Sequence, residues 1–198
     1  MNNNYFETER LILRPWTRDD GEALFKYASD PDIGPPAGWP PHKSIEESLA
    51  VIENVYLSGP KTFAICLKEG SSEGQDKGDP IVNPIGCFDL MKQGSDIAEG
   101  DDECEVGFWI AKPFWGRGII PEAAEVMLKH AFEECGMNKV WCAYYEGNDK
   151  SKRTQEKIGF KPQWYSEGVD VPLLGEVRNG FVNMMTKEDF YKSRERQQ

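Results

Sequence analysis

The chain has 198 residues and a formal net charge of −11, with 39% hydrophobic, 12% aromatic and 29% charged residues. That balance suits one soluble domain, α/β by its element order below, and argues against wholesale disorder; no run approaches the roughly 18 apolar residues needed to cross a bilayer. The acidic surplus argues against a phosphate-tracking nucleic-acid binder, which would present a basic face, and favours a cationic or neutral partner.

The start MNNNYFETER lacks the basic stretch and apolar centre of a secretory signal, so a cytoplasmic location is expected. Thr8 to Trp16 (TERLILRPW) alternates Leu11 and Leu13 against Ile12 and reads as a first strand. Asp19 and Asp20 offer a cap for a helix through Leu24, Phe25 and Ala28. Ser29 to Ser44 is too rich in proline and glycine for either element and reads as a shaped loop. Ser44 and Glu47 fit a capping box before a helix carrying Leu49, Ile52, Val55 and Tyr56.

Phe63 to Leu67 and Ile85 to Met91 read as strands, joined through residues 68–80, which have the composition of a flexible surface loop. Glu105 to Ile110 is the next strand. A helix follows from Pro121 to about Cys135, with Ala124, Leu128 and Phe132 on one side, Glu125 and Lys129 on the other, and Gly136 as its stop. Lys139 to Tyr145 is apolar on both faces, as a central strand would be. Asn148 to Ile158 reads as a short helix ended by Gly159. Strands near Phe160 to Tyr165 and Phe181 to Thr186 follow, then a charged tail over 190–198. The sum is a mixed α/β domain covering 1–198.

Between the fourth strand and the long helix stands FWGRGIIPEAA. Two glycines let the backbone take positive φ and approach a bound group closely. The first turn of the following helix has amides without intrahelical partners and the positive end of the helix dipole, so it attracts phosphate. Arg117 can add a permanently charged, bidentate contact, and Pro121 costs nothing near a helix start. The pattern is neither GxxxxGK[ST] nor GxGxxG. With no Walker lysine and no carboxylate pair for magnesium, a nucleotide phosphotransferase is disfavoured.

Glu105-Val106-Gly107-Phe108-Trp109 precedes this turn, Trp115-Gly116-Arg117-Gly118 with Glu122-Ala123 forms it, and Asn148 with Ser151, then Lys157-Ile158-Gly159-Phe160, follow it. In that order and spacing, together with the opening TERLILRPW, these residues resemble the GNAT superfamily of N-acyltransferases. They are most similar to the branch containing the ribosomal-protein alanine acetyltransferases. The resemblance implies a mixed, mostly antiparallel sheet with two splayed central strands and flanking helices, and acetyl-CoA as co-substrate without a metal. It implies that the amides of Gly116, Arg117, Gly118, Ile119 and Ile120 hold the pyrophosphate. Phe108, Trp109 and Ile110 would line the pantetheine arm on one strand, with Asn148 and Ser151 opposite.

The implied reaction is direct attack by a primary amine of a small molecule or of a peptide or protein N-terminus. An ammonium must first lose its proton, and Glu105 is the candidate base; Ser151 is the candidate donor to the leaving thiolate. The acceptor pocket would fall near Trp39 and His42, the latter read as a base, a ligand contact or an exposed loop residue. His130 reads as structural. The two histidines are far apart and build no metal site. Cys66, Cys87, Cys104, Cys135 and Cys142 form no CxxC pair and read as free core thiols. Trp115 and Ile120 depart from the common Q/R-x-x-G-x-G/A pattern. Gln155 stands where many relatives carry an acidic tyrosine, which leaves Tyr144 and Tyr145 as nearby phenols. The alternative reading is a non-catalytic acyl-CoA-binding regulatory module. Either reading expects a monomer or homodimer that binds neither nucleic acid nor membrane.

Overall fold

The computed structural model describes residues 5–58, 61–68, 83–92 and 95–195; most of the loop expected over 68–80 lies outside the described residues. The elements are β1 (Phe6–Glu7), β2 (Leu11–Pro15), α1 (Gly21–Ala28), α2 (Ile45–Val51), β3 (Lys61–Leu67), β4 (Pro84–Met91), β5 (Glu103–Ile110), α3 (Ile119–Glu133), β6 (Lys139–Tyr145), α4 (Asp149–Ile158), β7 (Lys161–Val171), β8 (Glu176–Thr186) and α5 (Lys187–Glu195). One eight-stranded sheet runs in the order β1-β2-β3-β4-β5-β6-β8-β7. Neighbours are antiparallel except β5 and β6, which are parallel.

The alternation of β2 places Leu11 and Leu13, both fully buried, under α3 beside Phe63, Ile65, Phe88 and Val106. Ala124, Leu128 and Phe132 of α3 are also fully buried there, as their four-residue spacing requires. Truncating a buried phenylalanine such as Phe132 to alanine costs about 3–5 kcal/mol. The opposite face of the sheet is covered by α1 and α2, with Trp16, Leu24, Ile52, Cys87 and Trp109 in a second cluster. The cysteines are free, and four of the five are buried.

Asp20 precedes α1, but its carboxylate does more than cap. It takes the Thr17 amide at 2.8 Å and both ends of the Arg14 guanidinium at 2.6 and 2.8 Å. This pair is buried on both sides, so removing either partner would strand a charge at a cost of about 3–5 kcal/mol. At α2, Ser44 accepts the Glu47 amide as expected, whereas the Glu47 carboxylate takes the amide of Lys43, one residue before the reciprocal position.

Two sequence expectations are corrected at the C-terminal end. The last two strands are longer than read, because the hairpin through residues 166–180 is largely solvent-exposed and its apolar alternation is confined to Val169 and Val171. Residues 190–195, expected in a charged tail, belong to α5: Thr186 Oγ1 takes the Asp189 amide, and Phe190 is buried against Phe132.

The feature that positions the site is a break in the sheet. β4 and β5 stay in register from Gly86↔Ile110 to Met91↔Glu105, and β6 stays on β8 along its whole length. β5 and β6 pair only over Glu103↔Lys139, Cys104↔Val140 and Glu105↔Trp141. Beyond Glu105 they part and leave a wedge between two strand edges. This corrects the reading of β6 as buried throughout: Val140, Trp141 and Cys142 are buried, whereas Ala143 is exposed in the opening.

Candidate active site

Gly116 and Gly118 both have positive φ, +75° and +73°, and Gly118 is the residue before α3. Nothing lies within 4 Å of where a Gly116 side chain would start, while at Gly118 Arg10 Nη2 and Lys157 Nζ are 3.8 and 4.0 Å away. The turn is thus a backbone hollow faced by cations from the residue before β2 and from α4, while the Arg117 guanidinium lies over the Phe114 ring at 5.6 Å. Arg10 is fixed there: its guanidinium donates to the Arg117 carbonyl and to the Glu122 carboxylate, at 2.6 Å for the latter. Glu122, which would otherwise repel an anion from the helix start, is further occupied by Thr8 Oγ1 and the Arg10 amide. The hollow therefore fits a pyrophosphate. The side chains of Ile119 and Ile120 are buried in the α3 core and leave their amides facing the turn without crowding it.

Trp115 closes the end of β5 by donating its indole N–H to the Ile110 carbonyl at 2.9 Å. Lys150 of α4 lies over the same ring at 4.2 Å and ties the two arms of the wedge together. Phe108 stacks on Phe88 on the α3 side, and Trp109 faces the other way.

Across the wedge, Asn148 caps α4 by accepting the Ser151 amide at 3.2 Å and donates its Nδ2 to the Pro36 carbonyl. Ser151 is held by Gln155, which is fully buried. Gln155 Nε2 donates to the Ala143 carbonyl at 3.2 Å and to Ser151 Oγ at 3.1 Å, while its carboxamide oxygen accepts from Asn183 Nδ2 at 2.7 Å. A carbonyl can only accept, so the nitrogen end of Gln155 must face Ala143. Ser151 Oγ is then an acceptor toward Gln155, and its own proton is left to donate elsewhere. Tyr144 stacks on Phe181, and Tyr145 packs at Gly38.

At the apex of the wedge Glu105 accepts from Ser95 Oγ at 2.8 Å. Burial pushes its carboxyl above the ordinary range, with Asp96 and Asp89 adding to the rise against that hydrogen bond. Beside it a cleft of about 310 Å³ is lined by Asp96, Ile97, Glu99, Glu103, Trp141 and Trp164. The proline-rich loop roofs the same face: Asp32 pairs with Lys112 beyond β5, and the Pro35 carbonyl takes Arg178 Nη1 at 2.6 Å on the other arm. Trp39 meets Trp109 edge-on at 6.3 Å.

His42 is not the exposed loop residue considered above. It is 9% exposed, its Nδ1 pairs with Ser48 Oγ at 2.8 Å, and burial lowers its pKa. His130 is likewise buried, beside the Phe6 ring. No group of three or more metal-binding side chains occurs among the described residues, and no helix among them is long and apolar enough to cross a membrane. Sequence reasoning passed over Arg10 and Lys157 as cradle cations, and over Asp89, a lone acid in the apolar run PIGCFDLM, which the sheet places beside Glu105.

A family model described as an acetyltransferase (GNAT) domain matches residues 10–161. YdaF of Bacillus subtilis (strain 168), provisionally named a ribosomal N-acetyltransferase, is 37% identical over 92 residues, 46% of this chain and 44% of that protein. YoaA of the same organism, named an N-acetyltransferase and otherwise uncharacterized, is 27% identical over 161 residues, 79% of this chain and 82% of its own. Among solved structures, a GNAT-family acetyltransferase from Bacillus anthracis superposes with a TM-score of 0.74 at 22% identity, covering 93% of this chain and 99% of that one. A GCN5-related N-acetyltransferase from Brucella melitensis gives 0.76 at 19% identity, over 96% and 82%. With the family model covering most of its length, the chain belongs to the GNAT acetyltransferases and is an acyltransferase.

Proposed function

We propose that the protein transfers an acetyl group from acetyl-CoA to a primary amine, of a small molecule or of a peptide or protein N-terminus, by direct attack. The observation that carries this reading is the wedge itself, with a cationic backbone hollow at its mouth and a half-buried carboxylate at its apex. The amides of Gly116 to Ile120 and the Arg117 side chain hold the pyrophosphate, aided by Arg10 and Lys157. The edge of β5 at Phe108, Trp109 and Ile110 takes the pantetheine arm, with Asn148 and Ser151 on the opposite arm. Acetyl-CoA supplies the thioester.

Glu105 receives the proton of the acceptor's ammonium, directly or through water, which frees the nitrogen lone pair to form the N–C bond as the C–S bond breaks. Its raised pKa makes it a better base than an ordinary carboxylate. Ser151 donates its hydroxyl proton to the departing sulfur, the direction that Gln155 leaves open, and takes in return the second proton that the newly acylated nitrogen sheds, so that the products are the amide, the thiol and one proton on Glu105. Trp39 and His42 wall the acceptor side. The acidic chain suits a cationic acceptor, and the name carried by YdaF favours a protein N-terminus among the choices. In this reading the single domain works in the cytoplasm, as monomer or homodimer, without a metal.

The test is calorimetric titration with acetyl-CoA of the parent and of Gly118→Asp, both checked for fold by circular dichroism. The substitution places a carboxylate among the cradle cations. Tight binding by the parent that vanishes in the folded variant is expected. A well-folded parent that does not bind acetyl-CoA overturns the reading.

A further inference from the structure

The cleft of about 310 Å³ beside Glu105 lies at the start of β5, at the opposite end of the strand from the Gly118 turn. Its floor is the sheet. Trp141 of β6 is the register partner of Glu105 and so shares a face with it and, by alternation, with Glu103. Both oxygens of Glu103 are occupied, one by the Trp141 indole N–H at 2.7 Å and the other by Lys139 Nζ at 2.7 Å. Trp164 of β7 closes the far side, its ring centroid 5.2 Å from that of Trp141. The near wall is the segment that leads into β5. There Ser95 Oγ accepts the amides of Ile97 and Ala98 at 3.1 and 3.0 Å while donating to Glu105, and Ala98 is buried against Trp141. The wall is thus fastened to the candidate base itself.

Two observations of different kinds give the cleft its chemistry. The first is aromatic: Trp164 is 44% exposed although it lines a concavity, and its indole N–H already donates to Ser166 Oγ at 3.1 Å. What it offers the cleft is therefore the π surface of the ring. The second is charge. The Asp96 and Glu99 side chains at the rim have neither a hydrogen bond nor an ion pair with any described residue, and the one lysine nearby, Lys139, is taken by Glu103. Indole faces attract cations, and carboxylates beside them strengthen the attraction while repelling any anion. The volume stands at the small end of ligand pockets and suits a single extended side chain, whose apolar stem would cover the rings and whose charged head would meet the rim.

Resting on the acetyltransferase reading for the reacting end, we propose that the cleft holds a lysine side chain on the first or second residue of a peptide acceptor, with the ammonium between the Trp164 ring and the Asp96 and Glu99 carboxylates. The methylene stem runs over Trp141, and the peptide's terminal amine reaches Glu105. Glu103, on the floor, stands about 6–7 Å along β5 from Glu105, a gap that such a side chain spans. Trp164, Asp96 and Glu99 are then specificity-determining residues that select a basic N-terminus over a neutral one. Glu105 keeps the proton-accepting role.

The experiment follows the Trp141 and Trp164 indole N–H signals by NMR in protein without acetyl-CoA. The probes are Lys-Ala-Ala amide and Ala-Lys-Ala amide, each against a counterpart in which norleucine keeps the stem and lacks the ammonium. At least one lysine peptide is expected to shift both indole signals and to bind about 3- to 30-fold more tightly than its counterpart. Trp164→Leu, at an exposed position, and the Asp96→Asn, Glu99→Gln double variant are each expected to remove most of that preference in a folded protein. No lysine preference, a full preference in either variant, or cadaverine binding as tightly as the lysine peptides overturns the proposal, the last by assigning the cleft to a small dication. Acetyl-CoA calorimetry on the same sample separates the two readings. Failure to bind acetyl-CoA sinks acetyl transfer, whereas binding without a lysine preference sinks only the role of the cleft.

Discussion

Replacing Gln155 by leucine removes three hydrogen bonds at a position with no solvent exposure. Asn183 Nδ2, which is buried, is left without its Gln155 partner at a cost of about 1–3 kcal/mol, whereas the carbonyl of the exposed Ala143 can turn to water. Asn183 is 4% exposed and has no water to turn to. The catalytic consequence is separate. If Ser151 is the donor to the departing sulfur, loss of the Gln155 contact frees its hydroxyl to rotate and to spend less time aimed there. If Ser151 acts as a single donor to developing negative charge, Ser151→Ala should lower kcat by about 100-fold or more, and Gln155→Leu by part of that. Because Gln155 acts through Ser151, the double variant should be no slower than Ser151→Ala alone. The assay is thiol release with any primary amine the parent turns over, run alongside urea denaturation and the acetyl-CoA KM. Adding Asn183→Leu to Gln155→Leu supplies a further control, since removing both partners should restore stability without restoring kcat. Additive losses in the Ser151→Ala, Gln155→Leu cycle, or recovery of kcat together with stability, would refute the positioning role.

Glu105→Gln should slow turnover sharply while calorimetry shows acetyl-CoA binding unchanged. In the parent, burial of Glu105 should place the acidic limb of the kcat/KM profile above the ordinary carboxylate range, and Asp96→Asn should shift that limb to lower pH. Asp89 is raised from 3.8 to about 6, so the native state keeps its proton to higher pH than the unfolded chain, and stability falls as pH rises between those values. Asp89→Asn should therefore stabilise the protein at neutral pH, by up to about 3 kcal/mol in urea denaturation, and make little difference below about pH 4; destabilisation at neutral pH would contradict the assignment.

The parts of this protein that could be read from its sequence are those whose cause is local. Ala124, Leu128 and Phe132 repeat with the helical period and lie in the core, and the paired glycines of the turn adopt the positive φ their spacing suggested. What escaped depends on partners far along the chain. Arg10 reaches the Arg117 carbonyl across 107 residues, and Gln155 meets Asn183 across 28. No window of periodicity contains both ends of such a contact. Gln155 was legible only as the lack of a tyrosine, whereas in the fold it sets the direction of the Ser151 proton. α5 was missed for another reason: its dense charges masked a capping threonine and the single buried Phe190.

The local rules of folding are broken repeatedly along one strand. β5 abandons its parallel partner after three residue pairs, carries a glycine in its interior, and holds at Glu105 a half-buried carboxylate whose pKa is raised. The glycine makes room for the Asp89 carboxylate on the neighbouring strand; the open edge and the acid have no such packing explanation. The proposed substrates would account for two of these features: strand edges without a neighbour can grip an extended arm, and a carboxylate without a cation can receive one. The cations of an otherwise acidic chain gather at the other end of the same strand, around Gly118, where the helix start already favours anions. In the proposed function β5 would therefore separate two charges, phosphate at its C-terminal end and the acceptor's ammonium at Glu105, and that polarity would set which way round the two substrates lie.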